Sequence, residues 1–227
     1  MSTIRAEGLT CTYGSGNGTV HALRGVDLVA HPGELLVVRG RSGSGKSTLL
    51  HALGGVLRPA SGTVHLGGTE LTTLPEPELL RLRRERVAYV FQTFGLLPVL
   101  SAAENVEVPL RLLELEAGER EVRVAAALDA VGLTRHAAHP PDEQSGGQQQ
   151  RVAVARALAT RPEVLLADEP TGQLDSQNAL AVLELLLALA HEQGTTTVVT
   201  THDPVIAERA DRVVELRSGV LTVPAPA

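Results

Sequence analysis

The sequence predicts an α/β chain: a mainly parallel sheet covered by helices on both faces, with an antiparallel β portion at the N-terminus and an inserted helical portion. Three observations predict it. In the last third, short apolar runs alternate with helical-period segments, as parallel strands joined by crossover helices do. The first third carries loosely alternating strands punctuated by glycine and proline turns. The middle is rich in Leu, Glu, Arg and Ala at helical spacing.

In chain order, residues 4–13 and 22–30 read as strands, with Gly14-Ser15-Gly16-Asn17-Gly18 as the turn between them. His31-Pro32-Gly33 turns the chain into a short buried strand over 34–39, built on Leu35-Leu36-Val37-Val38. A glycine-rich loop follows, then a helix over 46–57, stopped by Pro59-Ala60-Ser61-Gly62. A strand over 63–66 comes next. Residues 75–86 and 102–131 have helical spacing, with a strand over 87–91 between them. The pattern ends with helix 149–160, strand 164–167, helix 177–193, strand 196–200, helix 204–209 and strand 213–216. A short Pro-Ala tail occupies 224–227. One domain over 1–227 is expected, with 1–92 and 149–227 as core and β portion and 93–148 as the helical portion.

Composition narrows the function classes. Hydrophobic residues make up 43% of the 227, yet aromatics only 2%, so the core is expected to be aliphatic. Lys and Arg number 20 against 26 Asp and Glu, a net charge of −6, which argues against a general nucleic-acid binder. The single cysteine, Cys11, excludes an intramolecular disulfide and fits a reducing compartment. Met1-Ser2-Thr3-Ile4-Arg5 has no apolar run, so no secretory leader is expected. Nothing approaches the roughly 20 apolar residues of a membrane-spanning helix. Any membrane crossing is expected from another chain.

The sharpest motif is Gly40-Arg41-Ser42-Gly43-Ser44-Gly45-Lys46-Ser47, a full G-x-x-x-x-G-K-[ST] match between a buried strand and a helix. Glycines let the backbone fold tightly and aim successive N–H groups inward. The helix N-terminus adds partial positive charge where phosphates sit. Lys46 is expected to reach the β and γ phosphates, and the Ser47 hydroxyl to ligate Mg²⁺. Thr48 continues the loop into the helix. Farther on, Val164-Leu165-Leu166-Ala167-Asp168-Glu169 is an apolar strand ending in two carboxylates. At the C-terminal edge of a parallel sheet, Asp168 can hold Mg²⁺ through a water and Glu169 can orient or deprotonate an attacking water.

Ser145-Gly146-Gly147-Gln148, followed by Gln149-Gln150-Arg151-Val152-Ala153 and then by Asp168-Glu169-Pro170-Thr171-Gly172, resembles the signature segment of ABC ATPases. The resemblance covers residues 4–223 and looks strongest to the cassettes that partner lipoprotein-release, macrolide-export and cell-division permeases. It implies a P-loop NTPase fold of the ABC ATPase type. It implies that Tyr13 stacks on adenine, that Gln92 senses Mg²⁺ and the attacking water, and that His202 contacts the γ-phosphate. It implies that Leu174-Asp175 crosses a dimer interface, and that Ser145, Gly146, Gly147 and Gln148 touch ATP held by a second subunit. The implied cofactors are ATP and Mg²⁺. The implied partners are an integral-membrane permease and a second copy of the chain or a paralogous ATPase, with no nucleic acid. The implied location is peripheral, on the cytoplasmic face of a bacterial membrane. Gln144 and Gln173 depart from the family pattern; Gln144 stands where Leu is usual, so altered packing is expected there. A soluble ABC ATPase acting on nucleic acid or ribosomes is the competing reading, but the stretch from Gln92 to Ser145 is too short for a coiled-coil insertion and one cysteine cannot build a zinc site.

Overall fold

The computed structural model of the chain describes residues 2–14, 18–172 and 174–222. Its strands are β1 (Ile4–Tyr13), β2 (Val20–Ala30), β3 (Leu35–Arg39), β4 (Ser61–Leu66), β5 (Thr69–Glu70), β6 (Val87–Val90), β7 (Val164–Asp168), β8 (Thr196–Thr201), β9 (Arg212–Arg217) and β10 (Val220–Thr222). Its helices are α1 (Lys46–Leu53), α2 (Glu76–Arg86), α3 (Ala102–Leu112), α4 (Ala117–Ala130), α5 (Gly146–Thr160), α6 (Ser176–His191) and α7 (Pro204–Arg209). An antiparallel sheet has the order β2-β1-β4-β5, and a second sheet the order β10-β9-β3-β8-β7-β6. All neighbours in the second sheet pair in parallel except β10, which returns antiparallel along β9.

Strand period sorts the core into two clusters. Leu35 and Val37 of β3, with Leu165 and Ala167 of β7, join the apolar faces of α3, α4, α5 and α6. Leu36 and Val38, with Val164 and Leu166, join α1 and the antiparallel sheet through Leu49, Leu53, Ile4 and Leu66. All eight strand side chains are fully buried. Burying each of the leucines and valines among them is worth about 1.5–3 kcal/mol. The helical insertion therefore shares a core with one face of the sheet. Arg86, at the end of α2, pairs with Glu163 just before β7 at 2.8 Å, and the guanidinium holds that carboxyl below the usual carboxylate range.

The structure redraws several expected boundaries. The helix expected over 46–57 stops at Leu53. There Tyr89 Oη, arriving from β6, donates to the Leu50 carbonyl at 2.8 Å. A Cβ on Gly54 would lie 1.7 Å from that oxygen, so only glycine lets the phenol reach the helix end. Burial pushes the Tyr89 phenol well above its ordinary pKa, and its ring stacks on Phe91 at 5.2 Å. The stretch 102–131 divides into α3 and α4, because Glu114 turns the chain with φ of 58°. α5 starts at Gly146 rather than 149, because Ser145 caps it. The expected boundary at 148/149 falls inside this helix. The two-residue β5 and three-residue β10 are too short to leave a periodic signal. The expected turn at 15–17, Gln173 and the 224–227 tail lie outside the described residues.

Gly54→Ala is expected to cost about 1–3 kcal/mol by expelling Tyr89 from its seat. Urea unfolding of the variant measures it; an unchanged midpoint would mean the helix end shifts freely.

Candidate functional site

Parallel pairing opens the C-terminal ends of β3, β6, β7 and β8 along one edge, where ligands bind in such sheets. The glycine loop leaves β3 there, Gln92 follows β6, Asp168 and Glu169 end β7, and His202 follows β8. Arg41, Ser42, Gly43, Gly45, Lys46, Ser47 and Thr48 line a cleft of about 1050 Å³ together with Gln92, Asp168, Glu169 and His202. That volume accommodates a nucleoside triphosphate.

The loop is shaped from behind. Gly45 has φ of 106°, and a Cβ on it would lie 2.3 Å from the Ala22 carbonyl of β2. The turn between β9 and β10 latches both partners: Gly219 N–H donates to the Ser44 carbonyl at 3.0 Å, and Arg24 N–H donates to the Gly219 carbonyl at 2.8 Å. Gly40 and Ser44 sit on this inner side rather than in the cleft wall. Lys46 Nζ folds back onto the loop, donating to the carbonyls of Gly40 at 2.9 Å and Arg41 at 3.3 Å.

The end of β7 splits its two carboxylates. Glu169 has φ of 47°, a left-handed backbone that a non-glycine residue adopts only under constraint. Its N–H donates to the Thr200 carbonyl at 2.9 Å, which holds the bend. Asp168 turns inward, and its Oδ1 accepts from Thr200 Oγ1 at 2.5 Å. Glu169 faces the loop. Its Oε1 lies 3.2 Å from Lys46 Nζ, and its Oε2 lies 2.8 Å from His202 Nδ1. Lys46 and Glu169 have side-chain exposures of 9% and 10%, whereas His202 is at 72%, so the imidazole forms the solvated end of the trio.

A magnesium ion fits these donors. Among the described residues no group of three or more His, Cys, Asp or Glu could hold a metal. Mg²⁺ needs no such cage: it keeps several waters and takes one or two protein ligands plus phosphate oxygens. Ser47, Gln92 and Asp168 line one cleft, and Thr200 engages only one oxygen of Asp168.

Other expected residues lie elsewhere. The Tyr13 hydroxyl is 3.3 Å from Thr48 Oγ1, at the rim of the loop. Ser145, Gly146, Gly147 and Gln148 are not among the residues lining the cleft. Ser145 and Gln148 close a capping box instead, with Gln148 N–H donating to Ser145 Oγ at 3.2 Å and Ser145 N–H to Gln148 Oε1 at 2.9 Å. Asp175 caps α6 through the N–H groups of Gln177 and Asn178. The sequence reading missed Val20, His21, Ala22, Arg24, Ser218 and Gly219, which also line the cleft. Their only signal is tertiary, because they reach the loop from distant strands.

Fold and loop together define a P-loop nucleotide-binding protein. The family model described as ABC transporter matches residues 23–172. A macrolide export ATP-binding/permease protein of Rhodopseudomonas palustris (strain BisB18) is 48% identical over 220 residues, 97% of this chain and 33% of that protein. The chain thus spans about a third of the length of the macrolide-export relatives it matches. The lipoprotein-releasing system ATP-binding protein of Legionella pneumophila (strain Lens) is 43% identical over 218 residues, 96% of each chain. A dimeric, post-hydrolysis structure of the ATP-binding cassette MJ0796 with ADP and Pi superposes with a TM-score of 0.92 at 38% identity, covering 99% of this chain and 100% of that one. The chain belongs to the ABC transporter family, of which it is an ATPase cassette.

Gly45→Ala is expected to unseat the loop from Ala22 and lower ATP affinity at least about tenfold, while the far-ultraviolet circular dichroism stays that of the parent. Titration with a fluorescent ATP analogue checks it; parental affinity would show that the loop tolerates a Cβ.

Proposed function

We propose that the chain is the energy-coupling subunit of a membrane transporter of the export, extraction or mechanotransmission type. It binds Mg-ATP between two copies, or with a paralogue, and drives a separate permease from the cytoplasmic face of the bacterial membrane. The observation that carries this reading is the Lys46–Glu169–His202 trio beside the glycine loop, with the Ser145 turn away from that cleft. In this reading the two anion-binding turns lie apart in one chain, so a second chain completes the site. In a head-to-tail pair with twofold symmetry, Ser145 and Gly147 of the partner subunit close over the γ-phosphate.

In this reading Tyr13 flanks the base, and the N–H groups from Gly40 to Thr48 surround the phosphates. Lys46 divides its charge between the β and γ phosphates and Glu169. Ser47, Asp168 and Gln92 would hold Mg²⁺, which would supply neutralisation of the phosphate charge. Glu169 accepts a proton from the attacking water as the water oxygen bonds to the γ-phosphorus. The bond from that phosphorus to the β–γ bridging oxygen breaks, and ADP and phosphate separate. His202 holds Glu169 through Oε2 and steadies the γ-phosphate. Loss of the γ-phosphate removes the contacts that closed the pair, so it reopens.

The division into residues 1–92 and 149–227 on one side and 93–148 on the other belongs to this proposal. Gln92 joins the two. A groove of about 260 Å³, lined by Phe91, Gly95, Pro109, Leu112 and Arg156, lies just beyond Gln92 and suits a cytoplasmic segment of the permease. Among the described residues no helix is long and apolar enough to cross a membrane. The relatives named above are transport proteins, which favours this reading over action on nucleic acid or ribosomes.

Glu169→Gln is expected to bind ATP, lose turnover and accumulate a dimer in saturating Mg-ATP. Light scattering that finds only monomer would count against the sandwich. Lys46→Ala is expected to weaken nucleotide binding itself, and parental affinity would contradict the role given to Lys46.

A further inference from the structure

We infer that Gln144 is a positioning residue: it aligns the Ser145 turn for the partner subunit's nucleotide by tying residues 137–144 to the start of α3. The inference rests on the sandwich reading above. Gln144 is 7% exposed and directly precedes Ser145. Its Nε2 donates to the His139 carbonyl at 2.7 Å. The same carbonyl accepts from Ala102 N–H, the first residue of α3, at 2.9 Å. Next to it, Ala103 N–H donates to the Ala137 carbonyl at 2.9 Å. On the other side Gln149, from the first turn of α5, donates through Nε2 to the carbonyls of Pro141 at 2.8 Å and Gln144 at 3.2 Å. Two glutamine side chains thus close residues 139–144 into a hoop fastened to α3 at one end and α5 at the other.

The chain between Gln92 and α3 is fastened to the same frame. Asn105, 1% exposed, accepts from Leu97 N–H at 2.7 Å and donates to the carbonyls of Leu97 and Leu100 at 3.1 and 2.9 Å. Arg156 of α5 donates to the carbonyls of Phe94 and Gly95 at 2.8 and 2.6 Å. The segment after Gln92 is thus tied to α3 and α5, and the His139 carbonyl is where that frame meets the residue before Ser145.

The other half of the Gln144 amide points to the same role. Its Oε1 is buried with no hydrogen-bond partner among the described residues. A buried, unmatched acceptor destabilises a fold, and an apolar side chain of similar length would avoid that loss. The amide weakens the fold through Oε1 while Nε2 fixes the turn, as happens where geometry matters more than stability.

The test compares Gln144→Met with its parent, both in the Glu169→Gln background. Methionine keeps the length and apolar bulk and removes the donor. The expected result is a melting temperature equal to or above the parent's and an affinity for a fluorescent ATP analogue, at protein concentrations too low to dimerise, within about twofold of it. Mg-ATP-driven dimerisation, read by light scattering, is expected to weaken about tenfold. Gln144→Glu, which sets an acceptor against the His139 carbonyl, is expected to weaken dimerisation at least as much. Unchanged dimerisation in both variants overturns the inference and leaves the sandwich standing. A fall in melting temperature together with analogue affinity reduces Gln144 to a packing role and also overturns it. A Glu169→Gln parent that never dimerises removes the sandwich reading itself, and the inference with it.

Discussion

The Glu169 carboxylate lies between an ammonium and an imidazole, with Oε1 toward Lys46 and Oε2 toward His202. The carboxylate and the ammonium are both nearly out of water, where charges interact far more strongly than at a surface. Any phosphate that enters the loop shares Lys46 with this carboxylate, so phosphate binding and the charge on Glu169 are parts of one electrostatic balance. The arrangement depends on the left-handed bend at Glu169, which depends in turn on the Thr200 carbonyl. Thr200 also holds Asp168 through its hydroxyl. One residue of β8 thereby sets the directions of the last carboxylate of β7 and of the one that follows it.

The two-sided core delivers these groups to one edge. Because β3 and β7 send alternate side chains to different clusters, the loop helix α1 and the helical insertion pack on opposite faces of the same sheet. Two sets of contacts join the loop side of the sheet to the insertion. One is the strand ends, through Gln92. The other runs from the Leu50 carbonyl of α1 through the Tyr89 phenol to the stacked Phe91 ring, which lines the groove beyond Gln92.

What was legible in the sequence was local. The loop, the apolar strand ending in two carboxylates and the parallel crossover pattern each lie in a few consecutive residues, and the structure brings Lys46, Gln92, Asp168, Glu169 and His202 to one cleft. What was not legible depends on chain far away. The end of α1 is decided by a tyrosine on β6, the shape of Gly45 by a carbonyl on β2, and the rear of the cleft by the turn at Ser218 and Gly219. The break between α3 and α4 hides in an unremarkable glutamate at φ of 58°. Gln144 stood out as an unusual residue, yet its hydrogen bond to His139 has no trace in the sequence, because it closes a loop whose course is fixed by α3 and α5.

The scarcity of aromatic side chains has an optical consequence. With no tryptophan and only two tyrosines, the near-ultraviolet emission of the protein comes from Tyr13 and Tyr89. Tyr89 is sealed in the interior and bonded to a main-chain carbonyl. Tyr13 stands half-exposed at the rim beside Thr48. The molecule therefore carries one tyrosine fluorophore beside the glycine loop and a second in its core, in surroundings of opposite polarity.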